Sequence, residues 1–189
     1  MLGFYPNFKI TCNVDWAELS LRVADTAINY VHTNKYKENI LYESVNSIVA
    51  SLPTGGWISK SGPSFDFFVM GGIPETEILD NWFKKQFPNL TFTPATICWS
   101  SKNVPLHRDN IKNGQSSLVY PISNNSGYGT VYGNDAKFTY GTEKHKPVVI
   151  NITVDHEVVI TEPRVWFSIH MQEPIKMVKE VLDNYANNV

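Results

Sequence analysis

The chain has 189 residues, 42% of them hydrophobic and 18% charged, with a net charge of -2. That composition fits one ordinary globular domain, excludes a disordered chain, and gives no electrostatic case for nucleic acid or an anionic membrane as partner. No apolar run approaches membrane-spanning length, and Met1 to Ile10 lacks a basic start followed by a long apolar stretch. A cytoplasmic protein with two reduced thiols, Cys12 and Cys98, is therefore expected.

The first predicted element is a helix capped by Asp15, with Trp16, Leu19, Val23, Ala27, Ile28 and Val31 recurring every three or four residues. A second helix is predicted over Glu38 to Leu52, through Ile40, Leu41, Val45, Ile48 and Val49, stopped by Pro53-Thr54-Gly55-Gly56. Two short strands follow, divided at Ser61-Gly62-Pro63. A third helix is predicted from Pro74 to Phe87, with Ile78, Trp82, Phe83 and Phe87 on one face. From Thr91 to Met171 the chain is strand-like throughout, broken by Asn, Gly and Ser loops, and Gly133-Asn134-Asp135 reads as a hairpin turn. A closing helix from Glu173 runs through Ile175, Val178, Val181 and Leu182. One domain results: helices and first strands over 1–90, a β core over 91–172 and the last helix over 173–189. Mostly β with flanking helices, it predicts a jelly roll buttressed by its N-terminal helices.

Chemistry concentrates at V-P-L-H-R-D-N, residues 104–110. His107 and Asp109 stand two apart, the spacing that brings alternate side chains of an extended strand to one side. An imidazole and a carboxylate together suit a divalent transition metal, and one more His completes a two-His-one-carboxylate triad. His145 sits in a charged turn and reads as a solvated loop residue. His156 opens H-E-V-V-I-T at a strand end, where a jelly roll presents ligands inward. Thr161-Glu162-Pro163 reads as a reversal, pairing that strand as a hairpin with R-V-W-F-S-I-H-M. In that register Arg164 lies roughly 15 Å deeper than His156, leaving a gap that fits a short dicarboxylate. The planar guanidinium fork grips a carboxylate through two parallel hydrogen bonds. Arg108, between the two candidate ligands, is expected to point away from them. On the predicted last strand Arg164, Trp166, Ser168 and His170 share a face. The hairpin register sets Ser168 opposite His156 and His170 near the mouth, as pocket residue or rival ligand.

P-L-H-R-D, S-L-V-Y-P-I, P-V-V-I-N-I-T-V-D-H-E-V and R-V-W-F-S-I together resemble the iron(II)- and 2-oxoglutarate-dependent oxygenases. Their prolyl-hydroxylase-like and aspartyl/asparaginyl-hydroxylase-like branches are the nearest in feel, and the resemblance covers roughly residues 90 to 170. It implies a double-stranded β-helix, iron held by His107, Asp109 and His156, and 2-oxoglutarate held at its far carboxylate by Arg164. It also implies dioxygen as oxidant, with 2-oxoglutarate converted to succinate as a small molecule or a protein or peptide side chain is hydroxylated. Ser168, Tyr120 and Asn151 are the further candidates for hydrogen bonds to the cosubstrate. Trp57, Trp99 and Tyr132 read as core or rim. Two alternatives stay open: a cupin-like metalloenzyme without 2-oxoglutarate, using His170 or Glu157 as an added ligand, and a metal-free jelly-roll binding module.

Overall fold

Asp15 starts the first helix. Its Oδ1 accepts the N–H groups of Ala17 (3.1 Å) and Glu18 (3.0 Å), satisfying two donors that a helix start leaves unpaired. In the computed structural model, which describes residues 1–33, 39–43, 47–61, 67–123 and 127–186, α1 then runs Trp16–Thr33. Leu19, Val23 and Ala27 are buried, as their spacing predicts, whereas Ile28 is exposed.

The predicted second helix is not formed. Its described part folds as β2 (Ile40–Glu43) and β3 (Ser47–Ser51), paired antiparallel; Glu38 and residues 44–46 fall outside the described residues. Ile40, Ile48 and Val49 are β-branched and suit a pleated surface, so pairing with neighbouring strands overrides the helical spacing. β4 (Trp57–Ser61) and β5 (Phe67–Gly71) continue the sheet; Gly62 and Pro63 of the expected turn lie outside the described residues. The third predicted helix appears as α2 (Pro74–Gln86), led by Pro74, whose missing N–H costs nothing at a helix start. Phe83 and Phe87 of the expected face are buried and Trp82 packs against the core, but Ile78 is exposed and Thr76 and Leu79 complete the buried side.

The remaining strands are β6 (Thr96–Ser100), β7 (Val104–His107), β8 (Ser116–Pro121), β9 (Gly127–Tyr132), β10 (Lys137–Gly141), β11 (Val148–Asn151), β12 (His156–Ile160) and β13 (Arg164–Met171). A short β1 (Gly3–Phe4) precedes α1, and α3 (Ile175–Ala186) closes the chain. Gly133 donates to Ala136 O (2.7 Å) at the β9–β10 reversal, the hairpin that Gly133-Asn134-Asp135 predicts.

Two antiparallel sheets result, mostly β with three helices among the described residues, in a jelly-roll-like arrangement. The larger runs β1-β11-β8-β13-β6-β5-β4-β3-β2 and the smaller β10-β9-β12-β7. Strand alternation divides the core in two. Val165, Phe167, Ile169 and Met171 of β13 pack toward α1, α2 and α3 with Leu19, Phe83 and Val178, while Trp166 faces Val131, Tyr140 and Ile150 between the sheets.

One expected pairing is overturned. β12 pairs with β7 and β9, whereas β13 pairs with β6 and β8 in the other sheet. Thr161-Glu162-Pro163 therefore carries the chain from one sheet to the other instead of closing a hairpin. The gain is burial: β13 packs one face on the helices and the other on the sandwich interior, and six of its first six residues are buried. Among the described residues no helix is long and apolar enough to cross a membrane.

Candidate active site

His107 ends β7, and its Cα partner across the ladder is His156, the first residue of β12. The two rings stand 4.2 Å apart between centroids. Asp109 follows in the loop after β7, where its N–H donates to Ile152 O (3.1 Å) and holds the loop against the end of β11. Arg108 points away as expected: it pairs with Asp155, just ahead of β12, and so ties together the two segments that carry the histidines. That guanidinium also holds the Asp155 carboxyl below the usual range.

The tautomers follow from the hydrogen bonds. His107 Nδ1 lies 2.7 Å from Pro105 O and His156 Nδ1 lies 2.9 Å from Val154 O. A carbonyl only accepts, so both Nδ1 atoms carry a proton, and in the neutral imidazole each Nε2 is then the atom that presents a lone pair. Those lone pairs converge on one carboxylate: His107 Nε2 is 3.6 Å from Asp109 Oδ1, and His156 Nε2 is 3.9 Å from Asp109 Oδ2. One ligand atom from each of the three residues lies within 4.8 Å of the others. Burial, then the neighbouring His107, lowers the His156 pKa, keeping its imidazole in the neutral form that a metal needs. Three electron-rich atoms gathered this closely repel one another unless a cation joins them. Two imidazoles and one carboxylate, open on one side, fit iron(II).

That open side faces a cavity of about 770 Å³ between the sheets. Arg164, Trp166, Ser168 and His170 all line it, so the shared face read from the sequence is present although the hairpin is not. Arg164 is only 3% exposed, its guanidinium carbon lies 4.1 Å from the Trp166 ring centre, and its Nε has no hydrogen-bond partner. Burial pushes its pKa down to about 10, and among the described residues no carboxylate pairs with it. A buried cation left this way is costly, and an anion arriving through the cavity relieves the cost. Cys98 and Tyr140, both pushed up to about 12 by burial, stay neutral beside it. Cys98 feels the fields of both Arg164 and Asp109 and lines the same cavity.

Ser168 lies opposite Thr96 and Val119, not opposite His156, and its hydroxyl is 3.0 Å from that of Ser117 on the cavity wall. Tyr120 is not brought to the cavity: it points to the other face of β8, among Trp16, Phe167 and His145. The reason is parity, since Ser117 and Val119 take the inward positions of that strand. Asn151 is likewise turned away and spends its Oδ1 on Thr153 N (2.9 Å) and Oγ1 (2.7 Å). His145 is exposed as expected, yet its ring stacks on Tyr120 at 5.6 Å. Glu157 faces outward and accepts the Tyr132 hydroxyl, so it is no metal ligand; His170 borders the site but stands outside the three-residue group.

Among solved structures, AviO1 from Streptomyces viridochromogenes Tue57 aligns with 92% of this chain and 89% of its own, at 12% identity and a TM-score of 0.52. The fold is shared. Weaker likenesses include a Pseudomonas putida prolyl-4-hydroxylase (82% of this chain, 86% of that one, 11% identity, TM-score 0.45). An oxidoreductase of the 2OG-Fe(II) oxygenase family from Burkholderia pseudomallei aligns over 88% and 98%, at 11% identity and a TM-score of 0.43. Neither bears on function at that level of likeness. No family model and no curated protein matches the chain.

Trp57, read from the sequence as core or rim, lines the cavity from β4. Its signal was the glycine pair Gly71-Gly72 placed opposite it, with Trp57 and Gly71 as Cα partners.

Proposed function

We propose that the protein is an iron(II)- and 2-oxoglutarate-dependent oxygenase that hydroxylates a small molecule or an amino-acid side chain in a cytoplasmic setting. One observation carries the reading. The His107, Asp109 and His156 ligand atoms face the same cavity as the buried Arg164, which pairs with no carboxylate among the described residues. When bound, the metal and cosubstrate would supply the oxidising chemistry, by which 2-oxoglutarate, dioxygen and the substrate become succinate, carbon dioxide and the hydroxylated substrate.

The chain's own residues do the rest. Pro105 O and Val154 O fix the two imidazole tautomers, and the Arg108–Asp155 pair holds their strands in step. Arg164 receives the far carboxylate as a two-pronged donor, with Trp166 against its face. Ser168 and Ser117 offer hydroxyls along the wall, and the neutral Cys98 and Tyr140 keep competing charge away from the arginine.

The test is calorimetric titration of the metal-loaded protein with 2-oxoglutarate, beside a succinate assay with iron(II). Binding that is lost in Arg164→Ala, and metal content that is lost in His107→Ala, is the expected result. Unchanged metal content in His107→Ala, with no 2-oxoglutarate bound by the wild type, sinks the proposal.

A further inference from the structure

We propose, resting on the oxygenase reading above, that Trp57 and Lys112 form the subsite for the primary substrate, and that this substrate is a ring-bearing compound with an acid group. The cavity of about 770 Å³ lies well inside the range of sites that hold drug-sized ligands, far more room than a five-carbon dicarboxylate fills. Its surplus lies on one side. Residues 101–103 join β6 to β7 and keep those strands together, and β7 is the last strand of the smaller sheet. The larger sheet continues past β6 into β5 and β4, so its inner face overhangs the edge at β7. Trp57 stands on that overhang, three strand spacings from β13, or about 14 Å from the wall that carries Arg164.

The indole is built into this place. It lies over Gly71, its partner on β5, where an added Cβ would sit 2.6 Å from Trp57 Cζ2. A bare glycine lets the ring fold down onto the sheet and present itself to the cavity, which Thr93 and Pro94 also line. A half-buried indole with an open face is a platform for a flat or cyclic group, which it holds by dispersion and ring stacking.

Charge supplies the second half. Asp109 is the single carboxylate among the described lining residues, and it belongs to the metal group. Arg164 is answered by the cosubstrate. Lys112, in the turn just after Asp109, also lines the cavity, and among the described residues no carboxylate pairs with its ammonium. A cation of this kind on an otherwise neutral rim selects an acid and disfavours an amine.

Zinc-loaded protein, which binds but does not turn over, is titrated with indole-3-acetate and with tryptamine, each with and without saturating 2-oxoglutarate. The acid binds the wild type more tightly than the amine. Trp57→Ala raises the Kd for indole-3-acetate about tenfold, and Trp57→Phe, which keeps a ring and covers a folding failure of the alanine variant, raises it less. Gly71→Ala reproduces the loss by displacing the indole, and Lys112→Met erases the preference for acid over amine. The 2-oxoglutarate Kd stays within about twofold in all four variants, because the two subsites share no residue. Failure of the wild type to bind 2-oxoglutarate overturns the oxygenase reading. Intact 2-oxoglutarate binding with an indole-3-acetate Kd that Trp57→Ala leaves unchanged overturns this inference.

Discussion

Replacing Arg164 with methionine should make the ligand-free protein more stable while destroying its capacity for a dicarboxylate. Burial takes the guanidinium from its usual value down to about 10, a difference that corresponds to about 3 kcal/mol of unfavourable charge burial. The sign follows from linkage. A base whose folded-state pKa is lowered carries that penalty at every pH below about 10, and loses it only as pH rises from there toward its unfolded value. No working pH reveals it, so substitution is the probe. Methionine fills similar space without the charge but gives up the stacking on Trp166, worth about 1 kcal/mol. The net gain is about 2 kcal/mol, which for a chain of this size raises Tm by roughly 4–8 °C. Wild-type protein loaded with zinc should recover about 2.7 kcal/mol from 2-oxoglutarate at a hundred times its Kd, and Arg164→Met should recover nothing. Differential scanning calorimetry measures both. A variant that melts below the wild type would mean that Arg164 already has an anionic partner, and the reasoning fails.

Further expectations concern the metal group and the core. His107→Ala should lower the affinity for divalent metal by about a hundredfold or more, read by metal analysis after dialysis. His156, lowered chiefly by burial, contributes stability to the metal-free protein that is present above its unfolded value of 6.5 and lost as pH falls through its folded value. Thermal melts of the apoprotein should therefore decline on acidification from pH 6.5, and a flat profile would contradict the assignment. Phe83, 1% exposed and in ring contact with Phe8, Trp82, Phe87, Phe92 and Phe167, should cost about 3–5 kcal/mol as alanine in urea unfolding, with dicarboxylate affinity retained in the folded fraction.

Local signals were readable and long-range ones were not. Asp15 and its stripe gave α1, and Gly133-Asn134-Asp135 gave a hairpin, because caps and tight turns act over a few residues. The stretch through Ile40 and Val49 fooled the periodicity, since its apolar residues fit either element and only strand partners far along the chain decide. Parity gave the inward face of β13 correctly. It said nothing about which sheet β13 would join, so the Thr161-Glu162-Pro163 reversal was assigned to the wrong partner. Tyr120 and Asn151 failed for the same reason in miniature: each lies one position off the inward set of its own strand. The cavity-facing pose of Trp57 was hidden because it depends on the missing side chain at Gly71, on a neighbouring strand.

The passage of Thr161-Glu162-Pro163 between sheets changes what determines ligand length. Had β12 and β13 been a hairpin, the reach from His156 to Arg164 would be counted in residues along one ladder. Instead His156 stands on the smaller sheet and Arg164 on the larger, so the reach crosses the sandwich, whose layers pack about 10 Å apart. The spacer is then the thickness of the side chains between the layers, Val119, Val131 and Ile150 among them. Enlarging or trimming one of these distant apolar residues is equivalent to moving one jaw of a caliper, and it would retune the chain length of the acid that fits without touching a single polar contact.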